Sequence, residues 1–435
     1  MNSVAVNLGL VAFSVALLLG VMAAVKLAAR RLALGPELQR KIVHVATGLY
    51  ALTLPVIFAD RWPVMVLIAV SVCVMLILRL PAFAVSGVGS ALHSVSRGSY
   101  GEIYLALAVG FLFFFSQGNP VLYVLPILIV TVSDAAAALI GTNYGRRTFA
   151  VEAGTKSIEG VAVFFLITWL IAMIVLLLGT DAPRLNVVLV SFLVAAFGAL
   201  VEADSWRGLD NLFVPIGAHL FLASHIDTPP AALIVLAIGF VATVTVVLTF
   251  APLLKLDHHA ARAYTVLIFL VCSVTAPHNA ILPVAAILAH IPARVMRPSR
   301  SPYPDLDLLA VATGVALIWL FAGEYFDHSA INMFNLTFAA AAVAFVALAC
   351  SGWQRWLCVP LSFVAGAAVI TIAGQNPVET HWHGLMWPWV VAGLGITLSA
   401  ALMRPEFFDR FRSIRVFASA LIVPAAVFIT QGIMA

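Results

Sequence analysis

Long apolar stretches recur along the whole chain, and the short segments between them hold most of the polar residues. Most of these stretches are about 18 residues or longer, which is enough for one helix to cross a bilayer. They do not alternate between apolar and polar positions, as the strands of a membrane barrel would. We therefore predict an all-α, polytopic membrane bundle of roughly 14–16 transmembrane helices. The expected spans cover residues 4–25, 42–58, 63–80, 102–116, 121–140, 160–179, 186–202, 211–225, 231–253, 262–279, 280–295, 306–323, 331–350, 355–373, 385–403 and 414–433.

Composition excludes a water-soluble fold. Of the 435 residues, 63% are hydrophobic and only 10% are charged, and the mean hydropathy is +1.09. A soluble domain has about a quarter of its residues charged. The chain is therefore expected to act within a membrane and not on nucleic acid.

The basic residues fall almost entirely in alternate loops. If the N-terminus is outside, the inner loops carry 21 of the 23 basic residues and the outer loops carry only Arg61 and Arg184. This bias is the one that the positive-inside rule describes. We expect an integral protein of a bacterial inner, or cytoplasmic, membrane, with its polar chemistry facing the cytoplasm.

Two inner-side segments of the first half offer groups for proton transfer. One runs from Arg40 to His44, with Gly48 one turn further on, and the other is Tyr100-Gly101-Glu102 at the start of a span. His44 and Glu102 are candidates for taking a proton from a substrate. The structural alternatives are flanking positive charge with a helix-end histidine, and a first-turn carboxylate that complements the helix dipole.

A third segment begins with Asp134, about a turn and a half inside the end of an apolar helix. A buried carboxylate needs a metal ion or a basic side chain as its partner. Lys156 and Ser157 are expected to open the next helix, where lysine and backbone N–H groups suit phosphate. Further candidates for binding a ligand in this segment are Gly141, Gly145, Arg146 and Glu159.

A fourth segment carries three acids within ten residues, at the inner end of a span. These are Glu202, Asp204 and Asp210, and Asn211 follows directly. Mg²⁺ prefers oxygen ligands and commonly takes one or two carboxylates together with phosphate oxygens, whereas Asp204 also fits a solvated loop acid. Acids for Mg²⁺ and bases for phosphate thus converge on one face beside lipid. This arrangement predicts phosphoryl or nucleotidyl transfer to a lipid substrate.

At these residues the chain resembles the CTP-dependent polyprenol kinases of the phytol kinase and dolichol kinase type. The resemblance covers roughly residues 36–222, about half of the chain. Its motifs correspond to Arg40-Lys41-Ile42-Val43-His44, Tyr100-Gly101-Glu102, Asp134 with Ala137 and Gly141, Gly145-Arg146, Lys156 to Gly160, Glu202, and Asp210-Asn211 with Pro215.

The resemblance implies transfer of the γ-phosphate of CTP, or of another nucleoside triphosphate, to an isoprenoid alcohol such as phytol, farnesol or a dolichol-like polyprenol. In this interpretation Asp134 and Asp210 hold Mg²⁺, with Glu202 or Asn211 as a further ligand. Lys156 and Arg146 bind phosphates, with Gly141, Gly145, Ser157 and Asn211 also at the nucleotide. Glu159 orients Lys156 or the nucleotide, and His44 or Glu102 takes the hydroxyl proton.

Other functions remain open. Phosphatidate cytidylyltransferases share the central pattern, but the segment from Gly208 to Asn211 departs from their closing signature, and a prenyl monophosphate is a further acceptor. A lipid transporter or flippase also fits many spans with intramembrane acids, although no repeat is visible between the halves. We expect residues 1–230 to form the catalytic domain and residues 231–435 an additional helical region. There, Glu379, His381 and His383 form a weaker metal-site candidate.

Overall fold

The computed structural model describes residues 2–80, 100–116, 118–152, 154–326, 330–380 and 384–434. Within these ranges, eleven helical segments are long and apolar enough to cross a membrane, and three more apolar helices are shorter. Each expected span coincides with a helix, which confirms the prediction of an all-α membrane bundle. The α-helices are α1 (Asn2–Leu32), α2 (Pro36–Ile57), α3 (Arg61–Leu78), α4 (Gly101–Phe115), α5 (Pro120–Leu128), α6 (Asp134–Tyr144), α7 (Ile158–Gly179), α8 (Arg184–Asp204), α9 (Asp210–His225), α10 (Pro230–Phe250), α11 (His258–Val274), α12 (Ile281–Met296), α13 (Pro304–Tyr325), α14 (Ile331–Ala349), α15 (Cys358–Gln375), α16 (Trp387–Met403) and α17 (Arg412–Met434).

Contacts within the chain divide it into two compact units, Met1–Ile238 and Gly239–Ala435. The boundary between them falls inside α10. We predict that residues 1–230 form the catalytic domain and that residues 231–435 form an additional helical region, and both assignments stay predictions.

The helices of the first unit differ in how much of their surface the protein covers. Helix α8 is apolar and 61% buried over its span, whereas α7 is more strongly apolar but only 22% buried. A helix that is apolar on all sides is either interior or faces lipid, so α8 forms part of the core and α7 presents most of its surface to lipid. Helix α8 packs against α7 and α9, and α6 packs against α7 and α2.

The long helical segment Pro120–Tyr144 is interrupted near its middle. Residues Ile129–Ser133 form a π-helical turn between α5 and α6. Pro126 lies just before this turn and has no N–H group to donate to the preceding turn, which loosens the regular hydrogen bonding. Single π-helical turns inside α-helices occur often at functional sites. Here the turn directly precedes Asp134, the first residue of α6.

One short antiparallel hairpin separates α6 from α7. Strand β1 (Thr148–Val151) pairs with β2 (Gly154–Ser157), so that Phe149 lies opposite Lys156. The expectation that Lys156 and Ser157 open the next helix was wrong. Ser157 has extended backbone angles and caps α7 by accepting a hydrogen bond from the Gly160 amide, so the helix itself begins at Ile158.

The second unit is built around α14. This helix is 89% buried over its span and packs against α12, α13, α15, α16 and α17. Near its N-terminal end, Asn335 Nδ2 donates to Asn279 Oδ1 at 2.7 Å, and Asn376 Nδ2 donates to the same oxygen at 3.2 Å. Buried amide groups satisfy part of one another's hydrogen-bonding capacity in this way.

Candidate functional site

Three carboxylates from three helices converge in the first unit. Asp134 begins α6, Glu202 lies in the last turn of α8, and Asp210 begins α9. One carboxylate oxygen from each of them lies within 4.8 Å of the other two. Asp134 is buried, and the other two are partly exposed. The structure thus brings together the three residues that the sequence assigned to a metal ion.

Asp134 has a buried basic partner on α2. The Nζ atom of Lys41 lies 2.7 Å from Asp134 Oδ2, and the two side chains are 3% and 6% exposed. Lys41 also donates to the backbone carbonyl of Asp134 at 3.4 Å. Sequence reasoning placed Lys41 near the site but gave it no role. The sequence signal was the unpaired charge of Asp134 inside a span, which requires a cation.

Glu202 has a basic partner as well. The Nζ atom of Lys156 on β2 lies 2.8 Å from Glu202 Oε1, and it also donates to the backbone carbonyl of Glu202. Burial by itself lowers the pKa of Lys156, but the charges of Glu202 and Asp210 outweigh burial and raise it above its ordinary value. Lys156 is therefore a firmly protonated cation beside the carboxylate cluster.

His44 lies one helical turn beyond Arg40 on α2 and faces the π-helical turn. Its Nε2 atom is 2.8 Å from the carbonyl oxygen of Val130 and 3.4 Å from Asp134 Oδ2. A carbonyl oxygen only accepts, so Nε2 carries a proton and donates it. In this state Nδ1 is the ring nitrogen that can accept a proton.

The glycines of the third segment have a packing role. A Cβ atom on Gly145 would collide with the carbonyl oxygen of Gly141 and lie 2.6 Å from Ser157 Cβ. A Cβ atom on Gly160 would lie 3.0 Å from Ser157 Oγ. Glycine at these positions lets the end of α6 approach the start of α7, with Ser157 enclosed between them. The contacts that Gly141 and Gly145 make are those of close helix packing, and their expected role in binding a ligand stays a prediction.

Glu159 and Arg146 lie at the base of the hairpin. The two carboxylate oxygens of Glu159 accept from the Arg147 amide at 3.2 and 3.3 Å, which fixes the chain entering β1. The partner of Lys156 is therefore Glu202 and not Glu159. Arg146 is exposed, so its guanidinium is accessible to a ligand at this end of the unit.

Glu102 stands apart from the three carboxylates and pairs with another residue. Its Oε2 atom lies 3.1 Å from Arg79 Nη2, and the Arg79 guanidinium also lies 4.5 Å from the centre of the Tyr100 ring. The Tyr100 amide donates to the carbonyl oxygen of Arg207 at 3.0 Å. This contact ties the start of α4 to the loop between α8 and α9.

The loop between α8 and α9 also contacts the hairpin. Arg207 and Gly208 are consecutive residues with positive φ, 53° and 87°, which turn the chain sharply before Asp210. Arg207 Nη2 lies 2.5 Å from Glu152 Oε1 at the tip of the hairpin. The loop between α8 and α9 thus positions Asp210 on one side and the strand that carries Lys156 on the other.

The donor set fits a divalent cation. Glu202 Oε2 and Asn211 Oδ1 are buried oxygens that accept no hydrogen bond from the residues that the structure describes. Carboxylate and amide oxygens are the donors that Mg²⁺ prefers, and it completes its shell with water or phosphate oxygens.

The weaker candidate in the second unit cannot be placed. His381 and His383 lie outside the described residues, and so does the side chain of Glu379. Their proposed metal role stays a prediction.

The fold and the cluster define a polytopic helical membrane protein whose first unit carries a charged site suited to a metal ion and to phosphate. No protein-family model matches the sequence, and no solved structure matches it. The sequence is similar to phytol kinase of Synechocystis sp., with 35% identity over 195 residues that cover 44% of this chain and 80% of that protein. The chain belongs to the phytol kinase family, which confirms the resemblance at the level of the family.

Proposed function

We propose that the first unit is a membrane kinase that transfers the γ-phosphate of CTP to an isoprenoid alcohol. The observation that carries the proposal is the meeting of Asp134, Glu202 and Asp210 with Lys41 and Lys156. The similarity to a phytol kinase supports a kinase that acts on an isoprenoid alcohol. The choice of CTP rests on the family resemblance alone.

The carboxylates and Asn211 would hold Mg²⁺, which neutralises negative charge on the phosphate oxygens when it is bound. Lys156 lies on a strand outside the spans, so its ammonium group can reach a phosphate from the aqueous side. Arg146 is exposed near the same hairpin and adds a second cation. Catalysis of this kind consists mostly of positioning and charge stabilisation, which these fixed groups supply.

His44 is the better placed of the two candidates for the hydroxyl proton. Its Nε2 atom lies 3.4 Å from Asp134 Oδ2, so the imidazole ring borders the carboxylate cluster, whereas Glu102 is engaged with Arg79. Nε2 is held by the Val130 carbonyl, so Nδ1, on the other side of the ring, would be the atom that accepts the proton. The transition state of phosphoryl transfer is loose, so this proton leaves late and a modest base is sufficient.

The acceptor would approach from the lipid. Helix α7 exposes most of its apolar surface, and it begins two residues after Lys156. An isoprenoid chain can lie along such a surface, with its hydroxyl group at the level of the charged cluster. In this arrangement the site faces the cytoplasm of a bacterial inner membrane and the N-terminus is outside, as the distribution of basic residues favours.

The test is a transfer assay on the purified full-length protein in lipid nanodiscs. CTP labelled at the γ- or the α-phosphate, and ATP labelled at the γ-phosphate, would be offered with phytol, farnesol and a longer polyprenol. We expect label in the lipid from γ-labelled CTP only. Label from the α-phosphate would instead identify a cytidylyltransferase, and transfer only to a prenyl monophosphate would identify a prenyl-phosphate kinase. No transfer from any donor would favour the transporter class.

A further inference from the structure

The chain contains few lysines, and half of them lie in the site. The sequence holds nineteen arginines and four lysines, at positions 26, 41, 156 and 255. Both cations that pair with the metal-site carboxylates are lysines. Arginine binds a carboxylate through a rigid two-pronged fork, whereas lysine is a compact point charge on a flexible stem. A lysine can therefore leave a carboxylate for a neighbouring anion more readily than an arginine can.

Lys41 lies against Asp134, one of the carboxylates that would hold a divalent cation. Its Nζ atom is 2.7 Å from Asp134 Oδ2, and Asp134 belongs to the three-carboxylate cluster. The pair is almost fully covered by protein, so the two charges are weakly screened. An ammonium group at this distance both stabilises the Asp134 carboxylate and repels a second cation that approaches it.

We propose that Lys41 is the resident counter-ion of the site, which holds Asp134 while no divalent cation is bound and moves its ammonium group to a phosphate oxygen when the metal–nucleotide complex binds. The second half of this inference rests on the proposed kinase function. The first half concerns only Lys41, Asp134 and a cation.

The exchange has a thermodynamic consequence for binding. A divalent cation alone must displace Lys41 from a buried carboxylate and leave the ammonium group without an anion, which weakens its binding. A metal–nucleotide complex provides that anion. Binding of the cation and of the nucleotide is then cooperative, and the coupling passes through Lys41.

The first experiment measures Mn²⁺ binding to the full-length protein without nucleotide. Lys41→Met removes the charge and keeps an unbranched side chain, and we expect it to bind Mn²⁺ about tenfold more tightly because a repelling charge is gone. Lys41→Arg keeps the charge and can hold the carboxylate through a two-pronged fork, so its Mn²⁺ affinity should be no higher than that of the parent. Arg31→Gln, which removes an exposed charge at the end of α1, is the matched control and should leave Mn²⁺ affinity unchanged. Equal or weaker Mn²⁺ binding by Lys41→Met would overturn the inference.

The second experiment needs no variant, so it stands even if Lys41→Met fails to fold. A small acylating reagent and mass spectrometry report the accessibility of the four lysine amines, with exposed Lys255 as the internal reference. We expect Lys41 to be protected without a cation, reactive with saturating Mn²⁺, and protected again when a non-hydrolysable CTP analogue is added. Protection that does not change when Mn²⁺ saturates the site would contradict the inference.

The Mn²⁺ and acylation experiments test the role of Lys41 separately from the proposed kinase function. If the parent protein transfers no phosphate to any alcohol, the kinase proposal fails, whereas the Mn²⁺ measurements still decide whether Lys41 blocks the cation site. If transfer occurs and Lys41→Met binds Mn²⁺ like the parent, the kinase proposal stands and the counter-ion role is wrong.

Discussion

Lys156 and Glu202 are 46 residues apart in the sequence, yet Lys156 Nζ lies 2.8 Å from Glu202 Oε1. This pair joins a strand on the aqueous side to the last turn of a membrane helix. The contact makes Glu202 a partner of Lys156, the lysine that we propose binds phosphate, as well as a member of the carboxylate cluster.

Glu202→Gln should therefore reduce phosphate transfer by about 100-fold or more, because it removes a charge from the cluster and the ionic partner of Lys156. Initial rates with saturating CTP measure the effect. The matched control is Glu324→Gln, at an exposed position near the end of α13, where we expect the parental rate. A Glu202→Gln protein that keeps half of the parental rate would contradict the assignment.

Asp134→Asn and Asp210→Asn should both abolish turnover but should differ in stability. Asp134→Asn leaves Lys41 as an unpaired buried charge, at a cost of about 3 kcal/mol or more, whereas Asp210 is partly exposed and its loss should cost much less. Thermal unfolding followed by size-exclusion chromatography measures the difference. Equal stability of the two variants would show that Lys41 finds another partner.

The Lys156–Glu202 pair predicts a pH dependence with a definite sign. The pKa of Lys156 is raised above its ordinary value of 10.5, so the lysine gains stability from being charged in the folded protein. That contribution is fully present below the pKa of the unfolded chain and is lost as the pH rises through the folded pKa. The stability difference between the parent and Lys156→Gln should therefore shrink as the pH rises above about 10.5. A difference that does not shrink above that pH would count against a charged Lys156.

Gly145→Ala should displace the hairpin that carries Lys156. Its Cβ atom would lie 2.6 Å from Ser157 Cβ, and relief of that overlap should cost about 1–3 kcal/mol and lower the transfer rate. Gly9→Ala on α1 is the matched control, since no atom lies within 4 Å of the added Cβ. Thermal unfolding and transfer rates of both variants test this, and an unperturbed Gly145→Ala protein would show that α6 and α7 can separate without consequence.

The division into two units predicts where the chain can be cut. The boundary Ile238–Gly239 lies inside α10, so a cut there would break a helix, whereas a cut between α10 and α11 would not. We expect a fragment of residues 1–255 to transfer phosphate, and Glu379→Ala, His381→Ala and His383→Ala to leave the full-length rate within a few-fold, about 1 kcal/mol. If the fragment inserts and stays monodisperse but is inactive, with activity restored by co-expressed residues 256–435, the site is not complete in the first unit.

The sequence was sufficient to predict the helices, because the length and spacing of apolar stretches follow from the thickness of the bilayer. It also predicted which acids would meet, since Asp134, Glu202 and Asp210 all lie toward the same expected face of the membrane. The partner of Asp134 was not predictable, because Lys41 is 93 residues away and basic residues, mostly arginines, flank many of the spans. The hairpin Thr148–Ser157 was missed because its strands are four residues long and carry no clear alternation. Asp134 is also deeper than expected, because α6 continues to Tyr144 and not to residue 140.

The π-helical turn Ile129–Ser133 places one additional residue in the middle of a membrane helix. In an α-helix, successive side chains point about 100° apart around the axis. One additional residue therefore rotates the side chains of α6 relative to those of α5. Tyr123 and Ile127 face the apolar core before the turn, and Asp134 faces the charged site after it. Deletion of a single residue within Ile129–Ser133 would restore a regular helix and turn Asp134 away from Glu202 and Asp210 while leaving every side chain chemically intact. The geometry of the cluster thus depends on the length of this one turn as well as on the identity of its acids.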